Sequence, residues 1–154
     1  MYQAFDYLKN FKLQPLNTYP YENKDDTCRY NEAMGIPTGT QRYAFVKPMS
    51  ARALETAIAN FGVVSVGIDA RNLLDYVSGI VQDRNICTDS INHAVNIVGY
   101  GVDESTKMPY WIVRNQWGHR WGEQGYVRVK KLDGAENDGG ICGLHVKPGY
   151  PILS

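Results

Sequence analysis

At residue 63 the hydrophobic period of this chain changes from that of a helix to that of a strand, which divides its 154 residues into two kinds of material. Before the change, SARALETAIANFG places Leu54, Ala57, Ile58 and Phe61 on one helical face, with Ser50 set to cap the start and Gly62 to end it. After it, VVSVGID, HAVNIVGYG, PYWIVRN and GYVRVKK are short β-branched and aromatic runs bounded by Gly, Asp or Pro, which read as strands of an antiparallel sheet or small barrel. Further upstream, Ala4, Phe5, Tyr7, Leu8 and Phe11 have helical spacing before Pro15 and predict a helix that starts at or before Met1, the mark of a truncated start. Pro15, Pro20, Gly35, Pro37 and Gly39 make residues 14 to 42 a long irregular crossing. The expectation is an α+β chain, mainly helical and crossing over 1–62 and β-rich over 63–154.

Composition excludes several functions. Sixteen Lys and Arg balance sixteen Asp and Glu, so no net field draws the chain to nucleic acid or to an anionic membrane. No apolar run approaches the roughly 18 residues of a membrane span, and MYQAFDYLKN is not a signal sequence. Histidines 93, 119 and 145 lack paired cysteine spacing, so no metal site is expected, and no N-glycosylation sequon is present. Gly99-Tyr100-Gly101 ends a strand with no helix start after it, unlike a phosphate loop, and His119, Arg120, Arg128, Lys130 and Lys131 read as solvated turn and strand faces. Cys28, Cys87 and Cys142 are an odd number, so in an oxidising compartment one pairs outside the chain or stays free.

Two residues could do chemistry together. His93 begins one strand run and Asn115 ends the next, and an antiparallel pairing through the turn DESTKMP brings these ends within reach of each other. The Asn amide would then fix the imidazole tautomer and leave the other ring nitrogen for a reacting group, with Trp117 covering the contact. Spacing alone favours the plainer reading, an interior histidine and a turn asparagine, because a single His and Asn in a chain this long are not a specific signal.

Read together, NHAVNIVGYG, YWIVRNQWGHRWGEQGYVRV and CGLHVKPGYP closely resemble the C-terminal portion of papain-like cysteine peptidases, the family that includes the cathepsins. MYQAFDYLKN and YPYENKDDTCRYN extend the resemblance over essentially the whole chain. It implies a papain-like fold, with part of the helical domain followed by the antiparallel β-barrel-like domain. It implies His93 as general base, Asn115 as its orienter, Trp117 as shield and Trp121 as packing on the leaving-group side. Cys87 and Cys142 would pair with each other, and Cys28 would pair with a cysteine upstream. None of the three stands in the family's Cys-Gly-Ser-Cys-Trp context, and Asp25 and Asp26 beside Cys28 oppose a thiolate. The nucleophilic Cys and the oxyanion-hole Gln are therefore expected N-terminal to Met1, the Cys by about 40 to 55 residues.

Met1, Gly67, Ile91, Asn92 and Lys147 match the walls of the family's main specificity pocket, with Lys147 at its bottom. A lysine there either favours an acidic or polar substrate side chain or snorkels away from the pocket. Gln116 departs from the family's usual Ser and reads as a surface change. The resemblance implies peptide or protein substrates, propeptide or cystatin-type inhibitors, no cofactor, and a secreted or lysosomal setting. These 154 residues alone would be inactive for want of the nucleophile. The rival reading is a non-catalytic binding or regulatory module on the same fold.

Overall fold

The structure, a computed structural model, describes residues 1–134 and 136–154. The chain forms two compact units, one of residues 1–44 with 151–154 and one of residues 45–150.

In the first unit, α1 (Tyr2–Asn10) carries Phe5 as its buried residue, and no side chain caps its start. Aromatic rings do much of the packing here: Tyr7 stacks on Phe11 at 4.6 Å, and Tyr30 stands edge-on to both. The Tyr30 hydroxyl accepts from the Lys12 N–H at 3.2 Å, and Leu13 and Ile36 exchange backbone hydrogen bonds. Strand β1 (Thr40–Phe45) begins inside the stretch expected to be irregular. Its sequence TQRYAF has no clean apolar alternation, the signal by which a strand is recognised.

The second unit contains α2 (Ala51–Phe61), where the Ser50 hydroxyl accepts from the Ala53 N–H at 3.2 Å and Gly62 leaves the helix at φ 84°. Leu54, Ala57 and Ile58 are its buried face. The strands are β2 (Val64–Ile68), β3 (Ile80–Val81), β4 (His93–Val102), β5 (Pro109–Arg114), β6 (Tyr126–Lys130) and β7 (Gly149–Leu153). They follow the order β1-β7-β2-β4-β5-β6-β3. β2, β4, β5 and β6 pair antiparallel, as their alternation predicts, whereas β3 runs parallel to β6. A parallel neighbour cannot arrive by a hairpin, and β3 is reached through a long irregular connection after β2. β7 carries Pro151 and β3 only two residues, which removes the alternation that would have announced either.

Alternate residues of these strands meet one face of α2: Val64, Val66, Ile97, Trp111, Val113 and Val129 are fully buried with Leu54. Between α2 and the sheet lies a buried cation. Lys131, expected on a solvated face, is 8% exposed, and its ammonium pairs with Glu55 and Asp133 at 2.6 Å each. Burial pulls its pKa down, but the two carboxylates outweigh that and the net direction is up. Arg128 is likewise only partly exposed and forks onto Glu123, whereas His119 and Arg120 do lie in solvent.

Candidate active site

The site begins with register. β4 and β5 pair Asn96 with Arg114 and Ile97 with Val113, so the first residue of β4 and the residue after β5 stand at the same end of the hairpin. Those residues are His93 and Asn115, and His93 Nε2 lies 2.9 Å from Asn115 Oδ1. The amide orientation follows from a second contact. The Gln116 N–H donates to the same Oδ1 at 2.9 Å, and an N–H requires an acceptor, so the atom facing both groups is the oxygen. An oxygen there requires the proton to sit on Nε2, the nitrogen that faces it. Nδ1 has no hydrogen-bond partner among the described residues.

Trp117 stacks on the His93 ring at 5.1 Å between centroids, and Trp121 meets Trp117 edge-on at 5.0 Å. The Trp121 indole N–H is shared between the carbonyls of Leu73 and Leu74 at 3.0 Å each, which fixes this wall to the loop after β2. The three glycines of the Trp-Gly-x-x-Trp-Gly-x-x-Gly run take φ of 88° at Gly118, 56° at Gly122 and 92° at Gly125. At Gly122 a Cβ would also meet the Tyr126 carbonyl at 2.6 Å, so the turn demands glycine for two reasons. This tight turn lets the Gly125 carbonyl accept from the Asn115 N–H at 2.9 Å, holding Asn115 under cover at 8% exposure.

On the other flank of His93 is a residue that pattern reading missed. Asp69, at the end of β2, has no exposed surface and accepts a two-nitrogen fork from Arg71 at 2.8 and 2.6 Å. It also accepts the Thr88 N–H and hydroxyl at 2.8 and 2.9 Å, and the Asn92 amide at 3.1 Å. The Arg71 guanidinium, with the Thr88 bonds, outweighs burial and holds this carboxyl well below its usual range. Asn92 is thereby pinned, its Oδ1 accepting from Ala70 and its N–H donating to the Ile68 carbonyl. The one available signal was an Asp closing an otherwise apolar strand, with Arg two residues on.

Of the other singled-out positions, Gly67 and Ile91 touch, and a Cβ on Gly67 would collide with the Ile91 side chain. Asn92 turns its amide to Asp69 and Ala70, Lys147 is exposed, and Met1 is half-buried in the first unit. Cys87 and Cys142 form a disulfide with Cα atoms 5.0 Å apart, and Cys28 is an exposed free thiol. Among the described residues, no group of three or more His, Cys, Asp or Glu could hold a metal ion. Nor is any helix long and apolar enough to cross a membrane.

The sheet thus sets a histidine against an asparagine under a tryptophan, in a mixed α and β chain. The sequence profile of the papain family of cysteine proteases matches residues 1–152, and the chain belongs to that family. It is 36% identical over 157 residues to mouse (Mus musculus) procathepsin L, an alignment that covers 98% of this chain and 45% of that protein. The bromelain protease of Ananas comosus, solved in complex with the E64 inhibitor, superposes with a TM-score of 0.84 at 33% identity, covering 99% of this chain and 69% of that one. Digestive procathepsin L 3 of the Tenebrio molitor larval midgut does so with a TM-score of 0.86 at 34% identity, covering 99% and 48%. The chain thus spans about half the length of the curated relatives it matches.

Proposed function

We propose that this chain is the base-bearing portion of a cysteine endopeptidase, and that the nucleophilic thiol and an oxyanion-hole Gln are supplied by a segment outside these residues. The observation that carries this reading is the 2.9 Å contact of His93 Nε2 with Asn115 Oδ1, which leaves Nδ1 free to face a thiol. Nδ1 takes the thiol proton, and the thiolate adds to the substrate carbonyl. The imidazolium then gives its proton to the departing amine as the C–N bond breaks, leaving a thioester. In the second half Nδ1 takes a proton from water, the hydroxide displaces the thiolate, and the acid product leaves. Asn115 holds the ring through both halves, Trp117 keeps water from the His93–Asn115 bond, and Trp121 lines the side where the amine departs.

On the same reading Gly67, Ile91, Asn92 and Lys147 line the main side-chain pocket, and the Lys147 ammonium favours an acidic or polar side chain there. The exposed Cys28 pairs with a cysteine of the supplying segment. Peptides and proteins are the substrates, propeptide or cystatin-type chains the inhibitors, and the working compartment is secretory or lysosomal, where the Cys87–Cys142 bridge persists.

The test is an assay of the full-length native polypeptide on peptide substrates. Hydrolysis that needs a reduced thiol, stops on alkylation and falls by about a hundredfold to ten-thousandfold in His93→Ala supports the proposal. A folded polypeptide without thiol-dependent hydrolysis overturns it in favour of a non-catalytic module.

A further inference from the structure

The side chain of Gln116 is exposed, as expected of a surface change, but it does not point idly into solvent. The β4–β5 ladder ends with Asn96 opposite Arg114, and continuing that register would set Ala94 opposite Gln116. Past Arg114 the backbone donors of this strand turn away from β4. The Asn115 N–H goes to the Gly125 carbonyl, and the Gln116 N–H goes to Asn115 Oδ1. The Gln116 side chain reaches back in their place, and its Nε2 donates to the Ala94 carbonyl at 2.8 Å. A serine hydroxyl, two bonds shorter, could not span from the same Cβ.

The consequence lies in what this contact joins. Ala94 adjoins His93, and the Gln116 backbone aims the Asn115 oxygen. One amide therefore ties together the two backbone segments whose spacing sets the His93–Asn115 hydrogen bond. From this we infer that Gln116 is a positioning residue for the base, acting through Ala94 and Asn115 without touching substrate. The inference rests on the peptidase reading of the site, and it assigns a role to a residue at which this chain departs from its family's usual serine.

The test uses the full-length polypeptide with Gln116→Ala and with Gln116→Met, which keeps the length and loses the donor. Because the side chain is exposed, both variants fold and melt within about 2 °C of the parent. With reactive thiol blocked as a mixed disulfide and the imidazole neutral, nitrogen-15 NMR of His93 in the parent reports Nε2–H alone. In both variants the Nδ1–H tautomer joins it. In the unblocked enzyme kcat falls about threefold to tenfold while KM stays within about twofold, the signature of a displaced base and not of lost binding. Unchanged nitrogen signals and unchanged kcat in both variants would overturn the inference. Absence of hydrolysis by the parent would overturn the peptidase reading instead, and the nitrogen signals would still decide whether Gln116 positions the ring.

Discussion

Trp111, Leu54 and Ile97 in the unit of residues 45–150 have no exposed surface, whereas Leu13, Leu16, Tyr21, Met34 and Ile36 in the other unit are each more than half exposed. The difference follows from periodicity. Residues 51–61 and the paired strands repeat their apolar positions at 3.6 and at 2, so one helix face and one sheet face close on each other. Residues 11–39 have no such repeat, and their large side chains meet in local aromatic pairs instead. Chemistry that needs a ring held to a fraction of an ångström belongs on the first kind of scaffold, and His93 and Asn115 both stand at the ends of its strands.

That contrast can be broken by removing its parts. Trp111→Ala, which empties the centre of the sheet core, is expected to cost about 3–5 kcal/mol by denaturant titration; a cost near that of a surface change would mean the core is not shared as described. Loss of the Cys87–Cys142 bridge, which closes a separation of 55 residues, should cost about 2–4 kcal/mol, measured as the shift in thermal midpoint of Cys87→Ala/Cys142→Ala.

A smaller effect comes from His145, buried at 1% exposure, which accepts from the Trp111 indole N–H through Nε2 and faces the Asp138 carbonyl through Nδ1. Burial lowers its pKa, the Arg84 charge adds to that, and the Asp138 carbonyl and the Asp138 and Asp89 charges oppose it without prevailing. Because the folded value lies below the unfolded 6.5, the contribution is complete above that pH and is lost as pH falls from it through the folded value. Thermal midpoints between pH 7 and pH 5 should therefore fall more steeply in the parent than in His145→Gln. The smallest effect is expected in the aromatic unit: Tyr7→Ala removes one exposed stack, costs about 0.5–1.5 kcal/mol, and shows as faster amide exchange along α1.

The same contrast explains what could be read in advance. Ser50, Gly62 and the apolar face of α2 were legible because each acts locally, and β2, β4, β5 and β6 because alternation is their own signal. From those strands the approach of His93 to Asn115 followed in outline, since an antiparallel hairpin brings these two ends together, while the register shift between Ile97 and Gly99 had no local signal. β1, β3 and β7 were not legible, because they are strands only by virtue of the neighbours they pair with. Asp69 and Gln116 were missed for a related reason. Apart from Arg71, two residues after Asp69, their partners are side chains and backbone groups 19 to 23 residues away along the chain, which local spacing does not announce. Lys131 shows the converse error, a charge read as solvated whose two carboxylate partners make burial tolerable.

On the proposed reading His93 and Asn115 need a nucleophile, so the most direct measurement is the intact mass of the native protein from its source, before and after reduction. A species heavier than 17.3 kDa is predicted, whose additional sequence holds a reactive cysteine and a second cysteine bonded to Cys28. A native species of 17.3 kDa with Cys28 as a free thiol would contradict it, because such a protein could hold His93 in place but could not form a thioester with any substrate.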